Sequence, residues 1–345
     1  MKIKIFIINL LLFILFYLIS DVIFSRFVFK QSVDHKCYEN VDVKFYKMRK
    51  NCFSNMKMIS SIDPFKVYTD NDNIRYSGKK RDIKSNSIIF LGDSQTFGVG
   101  SDWEDTFVGI LENKFYNFNF YNLGVPSYSP TVYNYVLEQF IKDKKVNIKK
   151  IYVLIDITDV ADEANRWEII NGFPNLKNQK ITLNKISGFS KFKKDNFKGI
   201  YLISSKIRSF FRKLNAKKKE RENQYKPVEG NPTGAYIYTD HEVLTGCNTE
   251  NKKSEGWTCG GVQVGLNKVE KNIIKLAKTA NKINSEFYII IMPWPDTLNF
   301  GQTKFNWENF NNNLCIKTSC SKLINLFPKF KKIKETKNNW LKIIY

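Results

Sequence analysis

At 345 residues, 43% apolar and 15% aromatic, the chain has the composition of a globular protein with a substantial core, and a wholly disordered or fibrous protein is excluded. The length suits one large α/β domain with an insertion, or two modest domains. The formal charge of +22 comes from lysines spread through the chain, not clustered with aromatics on one module, which argues against a nucleic-acid partner and leaves anionic lipid or acidic polysaccharide compatible.

The first predicted element is apolar. Lys2 and Lys4 precede a run from Ile5 to Ile19 interrupted by Asn9, and Val22-Ile23-Phe24 follow Ser20-Asp21. Lysines ahead of such a run mark an export signal inserted with its lysines in the cytoplasm. No small-x-small cleavage site follows. Residues 1–24 are therefore expected to remain as a single-pass signal anchor in the inner (cytoplasmic) membrane, with the main domain extracytoplasmic, or periplasmic. Six cysteines fit that compartment, and their close spacings favour the local bridges Cys37–Cys52, Cys247–Cys259 and Cys315–Cys320. No Cys-x-x-Cys pair or Cys/His cluster has zinc spacing, so neither a metal nor another cofactor is expected.

Residues 25–85 read as a mixed stalk and lead-in, with turn signals at Asp63-Pro64 and Ser77-Gly78. From 86 to 345 the pattern is that of one domain. Strand-like runs at 87–91, 117–122, 151–155 and 286–291 alternate with helix-like stretches near 103–114, 130–144 and 264–284. In the last of these, Val269, Ile273, Leu276, Ala277 and Ala280 fall on one helical face. Strands alternating with helices predict a parallel, doubly wound sheet. An insertion of about 163–261 separates the third and fourth strands. Within it, Asn196 to Asn223 reads as a helical arm with a basic far end, open to packing on the main domain or to lying against anionic lipid. The Cys247–Cys259 segment around Trp257 reads as a pinned loop that shapes a cleft. Trp294, between Pro293 and Pro295 after the fourth strand, could stack on a sugar or pack. The chain then passes through a Cys315/Cys320 loop to Leu341–Tyr345, which reads as the start of a last short strand.

The most specific stretch is Gly92-Asp93-Ser94-Gln95-Thr96-Phe97-Gly98, directly after the apolar strand Ser87–Leu91. A serine at the carboxyl end of a strand and the start of a helix has an exposed hydroxyl and an N–H at the positive end of that helix. The stretch resembles block I, Gly-Asp-Ser-x-Thr-x-Gly, of the SGNH (GDSL-type) hydrolase superfamily. The resemblance implies a three-layer, flavodoxin-like fold and an acyl-enzyme on Ser94. Asp93 is expected to brace the turn. Gly124, in Tyr121-Asn122-Leu123-Gly124, looks like the block II glycine whose N–H joins that of Ser94 in an oxyanion hole. Thr158-Asp159 stands where block III has Asn-Asp, so Thr158 is a possible third donor or a plain turn residue.

The superfamily's late Asp-x-x-His supplies the base. Here His35 lies ahead of every block, and His241, beside Asp240, has neither the spacing nor the position expected. No catalytic base is therefore identified. The resemblance implies a serine esterase acting on acyl (O-acetyl) esters of cell-surface carbohydrate, with an O-acyltransferase and an inactive carbohydrate-binding or assembly protein as alternatives. An in-frame Asp-x-x-His is expected beyond Tyr345. Sequencing the DNA downstream of codon 345 checks this, and a stop codon there would count against it.

Overall fold

In a computed structural model, which describes residues 2–28, 32–33, 37–42, 45–56, 64–78, 86–177, 196–200, 203–204, 207, 261–302 and 305–337, the N-terminal apolar run forms one helix, α1 (Lys2–Ile23). Its 22 residues span about 33 Å at 1.5 Å per residue, enough to cross a membrane. Its side chains from Ile3 to Tyr17 are all exposed. Five short strands follow: β1 (Ser32–Val33), β2 (Tyr38–Asp42), β3 (Phe45–Met48), β4 (Cys52–Met56) and β5 (Phe65–Tyr68).

The next unit alternates strands and helices. In chain order come β6 (Asn86–Leu91), α2 (Ser94–Phe97), α3 (Phe107–Lys114), β7 (Phe118–Asn122), α4 (Pro130–Asp143), β8 (Ile148–Ile155) and α5 (Thr158–Asn165). An antiparallel hairpin, β9 (Trp167–Ile170) and β10 (Phe173–Leu176), follows. The remaining elements are α6 (Gly261–Lys282), β11 (Glu286–Ile291), α7 (Pro295–Phe300), α8 (Trp307–Thr318), β12 (Lys322–Asn325) and α9 (Phe327–Thr336).

The sheet runs β12-β11-β8-β6-β7, all parallel. This is the flavodoxin-like order, with its topological switch between β6 and β8. The pleat divides the strands between two helical layers. Ile89, Leu91, Ile151, Val153, Ile155, Ile289 and Ile291 face the layer of α4, α6 and α8, where Leu137, Ile273, Leu276 and Leu314 complete the main core. Ile88, Phe90 and Phe120 face α3, and Leu154 and Ile290 face α9.

The four predicted strands and the helices near 130–144 and 264–284 are present. Other details differ. A single 3-10 turn (Trp103–Asp105) precedes α3, because Thr106 turns out of the helix and caps it by accepting the Gly109 N–H at 3.0 Å. The Cys315/Cys320 segment is not a loop: Cys315 lies in α8, and the bridge ties that helix to the chain entering β12. A fifth strand, β12, went unpredicted, since an edge strand of four half-exposed residues carries little apolar signal. Leu341–Tyr345 lie outside the described residues. The stretch read as stalk and lead-in sends Phe45, Met48, Met56, Phe65, Val67 and Ile74 into the same core as the sheet. Glu163, where the insertion was expected to open, lies buried inside α5, and Trp167 after it packs in the main core.

Cys37–Cys52 joins the start of β2 to β4, and Cys315–Cys320 is also bridged; Cys247 and Cys259 lie outside the described residues. Closing a 15-residue loop restrains the unfolded chain by about 3 kcal/mol, and a 5-residue loop by about 2. Replacing both Cys37 and Cys52 by serine should therefore lower unfolding stability by about 3 kcal/mol in urea titration, more than the same change at Cys315 and Cys320.

Candidate active site

Strand β6, next to the central strand β8, carries the chain to the carboxyl edge of the sheet beside the switch point, where α2 begins at once with Ser94. Each residue of the motif has a local cause. Gly92 leaves room for Thr96, whose Oγ1 would lie 2.0 Å from a Cβ at position 92. Asp93 caps α2 by accepting the Gln95 N–H at 3.0 Å. Gly98 ends the helix in the left-handed region at φ 83, a conformation that costs glycine least. The helix is four residues long, so its dipole supplies less positive potential at Ser94 than the sequence suggested.

Ser94 is half-buried, and its hydroxyl donates to Asp93 Oδ2 at 3.0 Å. Asp93 thus braces the turn and also holds the serine. Two more carboxyl groups lie at the end of β8. Asp156 Oδ1 accepts the Thr158 N–H at 2.7 Å and the Thr158 hydroxyl at 2.6 Å. Asp159 accepts the Tyr133 hydroxyl at 2.8 Å and the Asp156 N–H at 3.0 Å. All three aspartates are buried. Burial, with the neighbouring Asp156 charge, pushes Asp93 up to about 8. Burial raises Asp156 too, against the hydrogen bonds from Thr158 and the Trp294 indole. Asp159 is held well above the usual carboxylate range by burial and then by Asp156 and Asp93. Like charges packed together out of water favour the protonated forms.

Of the three oxyanion donors considered, Gly124 and Thr158 are engaged elsewhere. Gly124 stands against the Ser94 turn, since a Cβ there would lie 2.7 Å from Thr96 Cβ and 2.8 Å from the Phe97 nitrogen. Its N–H, however, donates to Asn122 Oδ1 at 3.0 Å. The Thr158 hydroxyl faces Asp156, not open space. Trp294 packs on the main core with its indole toward Asp156. His35 and His241 lie outside the described residues. Among the described residues no cluster of His, Cys, Asp or Glu could hold a metal ion.

Two residues central to the site went unrecognised in the sequence. Asn122, fully buried at the end of β7, donates to Thr96 O at 2.7 Å while accepting the Gly124 N–H. The Asn-x-Gly spacing is the available signal, since an asparagine commonly accepts from the N–H two residues on. Arg75 is 1% exposed. Its Nη1 donates to the carbonyls of Phe97 (2.5 Å) and Gly98 (2.9 Å), and its Nη2 to those of Ser101 (2.6 Å) and Lys66 (3.2 Å). The guanidinium also stacks over Phe97 and Phe65, 4.8 and 5.5 Å from the ring centres. Burial lowers its pKa to about 10, so it stays charged at neutral pH. Nothing local to Asn73-Ile74-Arg75-Tyr76 signals this role.

No family model matches the sequence, and no curated protein matches it. Solved structures do show likeness. The SGNH-hydrolase family esterase AlinE4 aligns with 77% of this chain and 85% of its own at 11% identity, with a TM-score of 0.37. The psychrotrophic esterase EstA from Pseudoalteromonas sp. aligns over 74% of this chain and 87% of its own at 12% identity and a TM-score of 0.34. Axe2, an acetylxylan esterase from Geobacillus stearothermophilus, aligns over 74% and 84% at 10% identity and a TM-score of 0.33. The fold assignment rests on strand order, and the site on its geometry, not on these likenesses.

The aspartate cluster has a consequence for stability. Folded, Asp93 keeps a proton up to about pH 8 that the unfolded chain releases near its ordinary value of 3.8. The folded state therefore binds more protons across that window, and stability falls as pH rises through it. Asp93→Asn keeps the cap oxygen for Gln95 but cannot ionise. Its melting temperature should decline less than that of the parent between about pH 5 and about pH 8; parallel curves would show that Asp93 titrates normally.

Proposed function

We propose that the chain is a serine esterase of the SGNH type, with Ser94 as nucleophile, held outside the inner membrane by α1. The observation that carries this reading is the placement of a half-buried serine hydroxyl directly after the inner strand β6, at the carboxyl edge of the sheet beside its switch point. In the proposed reaction Ser94 Oγ adds to the ester carbonyl carbon and its proton passes to a base. The tetrahedral oxyanion collapses, the carbon–oxygen bond to the alcohol breaks, and the alcohol leaves with a proton. Water then repeats the attack and releases the acid. In the described state the Ser94 hydroxyl hydrogen-bonds to Asp93, which keeps its own proton at neutral pH, so no described residue is assigned as the base. The Ser94 N–H and, after release from Asn122, the Gly124 N–H are the proposed oxyanion donors. The substrate, an O-acetyl or other acyl ester of cell-surface carbohydrate, follows from the block I resemblance alone. If a sugar hydroxyl replaces water in the second step, the same site is an O-acyltransferase.

A non-catalytic carbohydrate-binding or assembly role is the second reading. It is favoured by the engagement of Gly124 and Thr158 with Asn122 and Asp156. Fluorophosphonate labelling separates the two. The esterase reading expects covalent labelling located at Ser94 by mass spectrometry and lost in Ser94→Ala. Membrane fractions that leave the chain unlabelled while a control serine esterase reacts would favour the binding role. Arg75→Met should reduce labelling together with stability, because three carbonyls after Ser94 and that of Lys66 each lose a hydrogen bond.

A further inference from the structure

In the N-terminal helical segment, two residues of opposite character to the rest are buried. From Lys2 to Tyr17 every residue of α1 is exposed, yet Asp21 is 5% and Ser25, one turn on, 1% exposed. They are covered by residues more than half the chain away. Asp21 Oδ1 accepts the Gly199 N–H at 2.7 Å and Oδ2 the Ile200 N–H at 2.9 Å. Ser25 Oγ accepts the Lys198 N–H at 2.7 Å. Arg26 donates from Nε and Nη2 to Asn196 Oδ1 at 3.1 and 2.9 Å. A Cβ at position 199 would stand 2.5 Å from Asp21 Oδ1, so close approach requires glycine there. Asp21 thus serves as a tertiary cap for a new helical start, satisfying N–H groups that its own chain leaves open.

Such a junction has no use in a leader that is removed. Removal would expose the unbonded N–H groups of residues 198–200, and a carboxylate at the end of an apolar span is tolerated when it is partnered in this way. The junction also fixes where the arm begins, at the end of α1 distant from Lys2 and Lys4. From there Ile203 and Ile207, four residues apart on one helical face, are each 50% exposed. The sequence from Lys206 to Arg221 carries eight Lys or Arg against one Glu. In sequence, these two half-exposed apolar residues adjoin that basic run, which apart from Ile207 lies outside the described residues, and the combination suits the surface of an anionic bilayer.

We propose that α1 is retained in the mature protein and that Asp21, Ser25 and Arg26 hold the arm beginning at Asn196 along the outer bilayer surface, where Ile203 and Ile207 enter the headgroup–acyl boundary of anionic phospholipid. This rests on the reading of α1 as a membrane anchor. The test uses the full chain in vesicles of phosphatidylethanolamine and phosphatidylglycerol. Ile203→Cys and Ile207→Cys, each carrying a polarity-sensitive fluorophore, are compared with Tyr116→Cys, which is 91% exposed between α3 and β7. Lipid-borne quenchers should dim the labels at 203 and 207 several-fold more than the label at 116. Adding Asp21→Ala or Gly199→Val should abolish that difference while the chain still resists carbonate extraction.

Equal quenching at all three positions in a carbonate-resistant chain would overturn the arm placement and leave the anchor standing. Quenching that survives both Asp21→Ala and Gly199→Val would overturn the role of the junction. Carbonate release, or a mature N-terminus beyond Ser25, would overturn the anchor reading and this inference with it.

Discussion

One buried guanidinium joins the two halves of this protein. Arg75 belongs to the strands before the sheet, and every carbonyl it reaches other than that of Lys66 lies in the turn that follows Ser94. A backbone bridge from Arg75 to Asn122 sets the same residue against the end of β7. A cation enclosed in this way has lost its hydration and is held by carbonyl dipoles and two aromatic faces. Each carbonyl, buried without that donor, would cost about 1–3 kcal/mol. The position of Ser94 therefore depends on residues earlier in the chain, and the disulfide at Cys37–Cys52 and the aromatic cluster of Phe45, Tyr46, Tyr128 and Trp167 stiffen the same module.

The ends of the strands share a device. Asp93, Asn122, Asp156 and Asn325 each accept the N–H of the residue two places on, at the carboxyl ends of β6, β7, β8 and β12. Side chains of this kind turn the chain sharply off the sheet without help from distant residues. They also crowd acidic groups at the edge where a substrate would sit. Burial there pushes each of these carboxyl groups above its ordinary value. In the described state the site is closed on itself, with the serine bonded to Asp93, the Gly124 N–H to Asn122 and the threonine to Asp156. Under the esterase proposal those bonds are exchanged for bonds to substrate.

Much of the sheet was legible because its central strands are buried on both faces, and Ser87–Leu91, Ile151–Ile155 and Phe287–Ile291 read as continuous apolar runs. The turn at Ser94 was legible because glycine, aspartate and threonine each answer a local steric or hydrogen-bonding need there. What escaped was tertiary. The strands β3, β4 and β5 of the lead-in are four or five residues long and owe their burial to α4, the hairpin and the sheet, not to their own periodicity. Arg75 reads as an ordinary surface arginine until the fold surrounds it. Gly124 lies beside the turn, while the engagement of its N–H depends on a side chain whose partner choice spacing only hints at.

The contribution of the early strands to the main core also sets a temporal order. Synthesis delivers Phe45, Met48, Phe65 and Arg75 before Phe97, Tyr128, Leu137 and Trp167 exist to receive them. Until the third strand of the sheet has been made, those side chains have no enclosed environment, and the newborn chain carries an uncovered greasy surface with a lone cation in it. Folding of this protein is obliged to wait for its middle, and a helper that shields the leading segment during that interval would act on the stage most exposed to aggregation.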